Sequence, residues 1–256
     1  MGYRLIMMNL AVAVLLTGCF RTPTVVAQAD PTVAGLELPD YAETEDLVRH
    51  LGYTASYNHT TLCPDWVAWE LTYEEAQGEN DGQYSFSWDP AVAWPKASRE
   101  DYSNSGWDKG HMAPRADMKW SCQALEESYY FTNICPQDHT MNSGTWRKIE
   151  ELTRRQANRY GRVWVVCGPV YDSQAAPETI GKGGVRVPSA FFKALAIGTP
   201  DGGFATVGFL VDNTPQTRAP QRYAVSVDSV ETVVGRNLFP SIPEEAEAEY
   251  NWNIWK

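Results

Sequence analysis

Asp108-Lys109-Gly110-His111-Met112-Ala113-Pro114 is the stretch on which the reading of this chain turns. It sets one histidine in a polar segment bounded by glycine and proline, away from any apolar face. An imidazole there has an ordinary pKa of about 6.5, which suits proton transfer near neutral pH. Two more stretches follow in order: Phe131-Thr132-Asn133-Ile134-Cys135-Pro136-Gln137, then Asn142-Ser143-Gly144-Thr145-Trp146-Arg147-Lys148-Ile149-Glu150. Asn133 and Asn142 offer amide oxygens and Glu150 a carboxylate. Oxygen donors without clustered cysteine or histidine point to a hard ion such as Mg2+, for which Mn2+ can substitute.

The flanking patterns give the architecture. Asn142–Tyr160 reads as a helix, with Trp146, Ile149 and Leu152 on one stripe and Gly161 as its stop. On a regular helix the eight residues from Asn142 to Glu150 turn through about 80° and rise ~12 Å, so the two share one broad face. Trp66–Leu71 alternates bulky groups as a strand does, and Tyr84–Trp88 is a shorter alternating piece. Val163–Cys167 reads as a buried central strand closed by Gly168-Pro169. Ala190–Ile197 and Phe204–Val211 read as two more strands joined by a turn. Asp101–Ser121 reads as loop around a short strand near His111. Glu126–Thr132 fits strand or helix, and Asp228–Val234 a short helix. Such a mixture implies an α+β domain, a central and mainly antiparallel sheet flanked by helices.

Taken together, these motifs closely resemble the DNA/RNA non-specific endonuclease family, whose hallmark is Asp-Arg-Gly-His on a ββα-metal (His-Me finger) core. Here the signature reads Asp108-Lys109-Gly110-His111, and the Asn-Ile-x-Pro-Gln run, Asn142 and the later tryptophan and glutamate keep their order. Weaker likeness extends from about Cys63 to Pro240. The resemblance implies a metal-dependent endonuclease that hydrolyses phosphodiester bonds of DNA and RNA with little sequence preference. His111 would be the proton acceptor that activates water, and Asn142 the protein ligand of one hydrated Mg2+. Glu150 would orient the ion's waters, Asn133 would hold the loop or such a water, and Asp108 would fix the loop before His111.

Two departures bear on substrate binding. Lys109 stands where the family has arginine, keeping the charge and losing the planar two-bond grip on phosphate. The family's upstream arginine has no counterpart, because Leu71–Lys96 contains no arginine or lysine before Lys96. Arg115, Lys119 and Arg147 are the substitutes at hand, and the sequence does not choose among them. The formal charge of −11 argues against simple electrostatic capture of nucleic acid. The middle of the chain is nonetheless basic, and Arg154–Arg162 reads either as a local basic face or as solvated helix charge. The alternative to an enzyme is a catalytically weakened envelope lipoprotein that binds nucleic acid or a protein partner. His59 and His139 read as structural, and Trp107 and Trp120 are the tryptophans nearest the motif.

The N-terminus carries its own signal. Arg4 precedes an apolar run, Leu5–Leu16, too short to span a bilayer, which ends Leu16-Thr17-Gly18-Cys19. This resembles a bacterial lipobox. The expected organisation is a signal peptide over 1–18, a tether over 19–43 and the endonuclease domain over 44–256. The product is expected in the exported cell envelope, held to the membrane through lipid on Cys19. Cys63, Cys122, Cys135 and Cys167 remain. They allow up to two disulfides in three complete pairings, and their spacing argues against structural zinc.

Overall fold

The computed structural model describes residues 35–256. The expected signal peptide, Cys19 and the tether as far as residue 34 lie outside the described residues. The later tether residues pack onto the domain. Leu36 is buried, and the Asp40 amide donates to the Asn237 carbonyl at 2.9 Å.

In chain order the strands are β1 (Asp46–Arg49), β2 (Thr54–Asn58), β3 (Cys63–Thr72), β4 (Asp108–His111), β5 (Ile134–Gln137), β6 (Arg162–Val170), β7 (Thr179–Ile180), β8 (Val185–Arg186), β9 (Ala190–Gly198), β10 (Phe204–Asp212) and β11 (Ala224–Val225). The helices are α1 (Arg99–Tyr102), α2 (Cys122–Glu127), α3 (His139–Met141), α4 (Arg147–Tyr160), α5 (Val227–Val234) and α6 (Trp252–Trp255). Seven strands make one sheet in the order β1-β2-β3-β6-β9-β10-β11, antiparallel at every pairing. The α+β expectation holds.

Period-two alternation explains why both faces of this sheet are buried. Trp69, Val165, Phe191, Leu195 and Phe209 face one core, which also takes Trp146, Ile149 and Leu152 from the long helix. Their neighbours Trp66, Trp164, Phe192 and Ala194 face a second core, closed by Val227, Val230, Leu238 and Phe239. The large aromatic content therefore goes mostly to the two layers.

The third layer carries the motif. β4 pairs antiparallel with β5, Asp108 opposite Gln137 and His111 opposite Ile134. A continuous helical run from α3 through a π turn (Asn142–Trp146) into α4 follows directly, completing a ββα unit. The Asp138 side chain caps its start by accepting from the Met141 amide. Gly161 ends it at φ 83°, a left-handed conformation that glycine adopts without strain.

Several local expectations are corrected. Tyr84–Trp88 forms no strand: its only pairing is a single bridge from Ser87 to Tyr130, Phe86 turns toward His111, and Trp88 is exposed against Trp94. Glu126–Thr132 is the end of α2 followed by a 3-10 turn at Phe131–Asn133. β6 runs through Gly168-Pro169 to Val170, because β9 continues to pair with it there. β5 carries a proline and lacks alternation, which hid it from the sequence. The four described cysteines are free thiols, three of them buried.

Candidate active site

β4 sends Lys109 and His111 to one side and places Gly110 between them. A Cβ on Gly110 would lie 2.1 Å from Gln137 Oε1, so the glycine leaves room for the buried Gln137 side chain. The His111 ring packs against Phe86 and Tyr129, each with centroids 5.3 Å away, the tyrosine edge-on. Its Nε2 is buried without a hydrogen-bond partner. Nδ1 is left as the nitrogen that can meet solvent. Burial, and secondarily the Arg115 charge, lower the His111 pKa to about 4. The ring is therefore neutral at physiological pH.

The loop behind His111 is held by Asn133. This residue is 0% exposed. Its Oδ1 accepts from the Ala113 amide at 2.8 Å, while Nδ2 donates to the carbonyls of Ala113 and Ser128 at 2.8 and 2.9 Å. These three bonds, made in the interior, fasten the loop that follows His111. The Trp146 indole adds a bond from the helix, donating to the His111 carbonyl at 3.2 Å.

Asn142 lies in the π turn. Its Nδ2 donates to Asp108 Oδ2 at 3.0 Å, which leaves Oδ1 as the free end of the amide. The π turn also corrects the helix geometry expected for Glu150. A widened turn takes more than 3.6 residues, so the step from Asn142 to Glu150 falls nearer two whole turns than a regular helix allows. Among the described residues no donor hydrogen-bonds the Glu150 carboxylate. Burial pushes its pKa up to about 7, Lys193 opposing and Asp117 adding to the rise.

Two of these neighbours escaped sequence reasoning. Lys193 alternates with Phe191 and Leu195 along β9, where an apolar residue belongs, and is 0% exposed. Its ammonium lies over Trp146 at 4.4 Å and Trp69 at 5.1 Å. Asp117 is fully buried, accepting from Arg154 at 2.7 Å and from the Trp69 indole at 3.2 Å. A lone lysine inside an alternating apolar strand was the available signal. His139, read as structural, approaches Asp108 Oδ2 with its Nδ1 at 3.0 Å and flanks the Asn142 amide.

The cations sort themselves by partner. The Lys109 ammonium lies over Phe86 and Tyr102, at 5.5 and 5.8 Å, and so stays beside His111. Arg115 is near enough to His111 to depress its pKa and donates to Asp81 at 2.7 Å; Lys119 stands 3.7 Å from the same carboxylate. Arg147 turns away to Glu151. Arg154, Arg159 and Arg162 are engaged with Asp117, the carbonyls of Ile254 and Lys256, and Glu70. Three of the four arginines in 154–162 are thus tied to protein partners, and Arg155 is left as an exposed charge on the helix. Lys109 and Arg115 are the cations that remain beside His111.

This arrangement has known counterparts. Residues 39–245 match the family model described as DNA/RNA non-specific endonuclease. The chain is 36% identical over 212 residues to the mitochondrial nuclease EXOG of Danio rerio, covering 77% of this chain and 61% of that one. It is 30% identical over 202 residues to human mitochondrial endonuclease G, covering 74% and 68%. The chain thus spans about three fifths of the EXOG relatives' length. A chain of the crystal structure of the EndoG/EndoGI complex superposes with a TM-score of 0.74 at 25% identity, covering 81% of this chain and 91% of that one. Sequence match, ββα unit and shared fold agree: the chain belongs to the DNA/RNA non-specific endonuclease family, a family of nuclease hydrolases.

Proposed function

We propose that this protein is a metal-dependent endonuclease that hydrolyses internal phosphodiester bonds of DNA and RNA with little sequence preference, His111 acting as base. The observation that carries the reading is the placement of His111: sealed at Nε2 and facing outward through Nδ1, on a strand clamped to the helix that presents Asn142. With its proton on the buried Nε2, the ring offers a lone pair at Nδ1 to a water attacking phosphorus. Lys109 and Arg115 bring positive charge to the same side, where the non-bridging oxygens of a phosphate gain negative charge.

The donor set fits a hard divalent ion of the Mg2+ class. Asn142 presents its amide oxygen because Asp108 takes its NH2, and Glu150 has a carboxylate free of protein donors. Asn142 would hold the ion directly and Glu150 through its waters. When bound, such an ion neutralises charge on the phosphate and on the leaving 3′ oxygen. Export and attachment through lipid on Cys19 belong to the same proposal and rest on residues 1–19 alone; the relatives named above are mitochondrial proteins.

Digestion of plasmid DNA and of RNA by the purified chain, in Mg2+, in Mn2+ and in chelator, tests the reading. Both substrates are cut internally in either metal and are spared in chelator. A protein that leaves both intact in Mg2+ and Mn2+ refutes the activity. His111→Ala cutting at the wild-type rate refutes the base.

A further inference from the structure

We propose that Asp228, Glu231 and Glu247 form a second cation site, for an ion of the Ca2+ class, which fastens the C-terminal segment to α5 on the face of the sheet opposite His111. One carboxylate oxygen from each residue lies within 4.8 Å of the other two. A surface cluster of acids would mean little alone. Here, however, the Glu247 side chain is buried, with 2% of the residue exposed, and its Oε1 is sealed from solvent with no hydrogen-bond partner. A carboxylate is not buried next to two others without a compensating positive charge or a proton.

The fold builds this convergence from two elements. Asp228 lies in the first turn of α5 and Glu231 one turn later, so both point from one helix face. Glu247 follows the 3-10 turn Glu244–Ala246, which Thr206 of β10 fastens by donating to the Ala246 carbonyl at 2.6 Å. The Asp228 amide donates to the Glu247 carbonyl at 3.4 Å, drawing the segment onto the helix. Glu231 spends one oxygen on the Leu238 amide at 2.6 Å and keeps the other. Val227 and Val230 of α5 pack with Leu238 and Phe239 in the second core, so an ion here would tie that core to the chain that covers it.

Charge supports the assignment. The charged groups that bear on Glu247 are Glu231, Asp228 and Glu244, all acidic. Nothing basic in this set offsets them. Donor chemistry chooses the ion. Three carboxylates, without histidine or cysteine, select a hard cation. Ca2+ holds oxygens at 2.3–2.6 Å, so two of its ligands stand up to about 5 Å apart, whereas Mg2+ is shorter and keeps most of its waters.

The full chain carrying Asn142→Ala, which removes the proposed catalytic ligand, is stripped with chelator and titrated with CaCl2, then separately with MgCl2. Calorimetry should show one Ca2+ bound per chain. Thermal unfolding should shift upward by about 5 °C once Ca2+ exceeds its Kd about a hundredfold, and less in the same concentration of Mg2+. Adding Glu247→Gln or Asp228→Asn should weaken Ca2+ binding at least about tenfold while each variant still folds in chelator, having lost a repelling carboxylate. Ca2+ that binds and stabilises these variants as it does their parent overturns the site. So does a parent indifferent to Ca2+ whose Tm rises with Glu247→Gln alone, since the cluster then holds a shared proton.

Discussion

Asp108 Oδ2 lies 3.0 Å from Asn142 Nδ2, so a strand carboxylate sets which end of the helix asparagine faces outward. The signature aspartate thus acts on the helix as well as on the loop before His111. Asp108→Ala frees the amide to rotate. Activity is expected to fall about 10–100-fold, the usual cost of losing a partner that orients a metal ligand, with a higher Mg2+ concentration needed for half-maximal rate. Asp108→Asn can still accept the bond and should lose less. Equal, small losses in both variants, with an unchanged Mg2+ requirement, would remove this role from Asp108.

Arg115 and Asp81 form the second relationship to test. The pair is 2.7 Å apart, and the Asp81 side chain is 75% exposed, so its contribution to stability is small. A substrate phosphate would have to compete with Asp81 for Arg115 and Lys119. Asp81→Asn should therefore tighten binding of a short duplex at low salt by a few fold, measured by fluorescence anisotropy, with Tm unchanged. Arg115→Ala should lower kcat/KM by about 10-fold or more, while Arg147→Ala, whose charge faces Glu151, should stay near wild type. Equal losses from Arg115→Ala and Arg147→Ala would mean that neither cation is specific to the site.

The reach of the sequence shows residue by residue. Trp66–Leu71, Val163–Cys167 and the two later strands were legible because they alternate or run apolar for long enough to state a period. β4 and β5 are four residues each, too short to carry a period, and only the motif drew attention to them. His111 and Asn142 were singled out through residue type and order. Asn133 was left between loop and metal water because an amide beside a motif reads equally as ligand or as scaffold; its burial and its bonds to Ala113 and Ser128 favour the loop. Asp117 and Asp81 were invisible because their effect comes from neighbours across the sheet or loop, and Lys193 showed only as a lysine set in an apolar strand. The π turn was hidden too, since no local signal in Asn142–Trp146 distinguishes it from regular helix.

His111 should titrate far below an ordinary histidine. Its folded pKa of about 4 lies under the unfolded value of 6.5. The unfolded chain therefore binds the proton first, and the stability tied to the neutral ring is complete above 6.5 and drains away as pH falls toward 4. The ring resonances of metal-free Asn142→Ala protein, followed by NMR, should show a midpoint near 4. A midpoint near 6.5 would mean that the ring is solvated and that its buried Nε2 is not as described.

Glu150 carries the opposite shift, and with it a conflict between stability and function. Its folded pKa of about 7 exceeds the ordinary 4.5, so the folded state holds a proton that the unfolded state has released. Stability then falls as pH rises from 4.5 through 7, by up to about 3 kcal/mol once the group is ionised. Glu150→Gln removes the ionisation. In chelator its Tm should exceed wild type by roughly 6–12 °C at pH 8 and converge with it near pH 4.5. The same variant should cut nucleic acid more slowly at every pH, because an amide orients metal waters less well than a carboxylate. A Glu150→Gln protein no more stable than wild type at pH 8 would show that Lys193 already compensates the charge. The carboxylate would then be as much a part of the folded core as of the site.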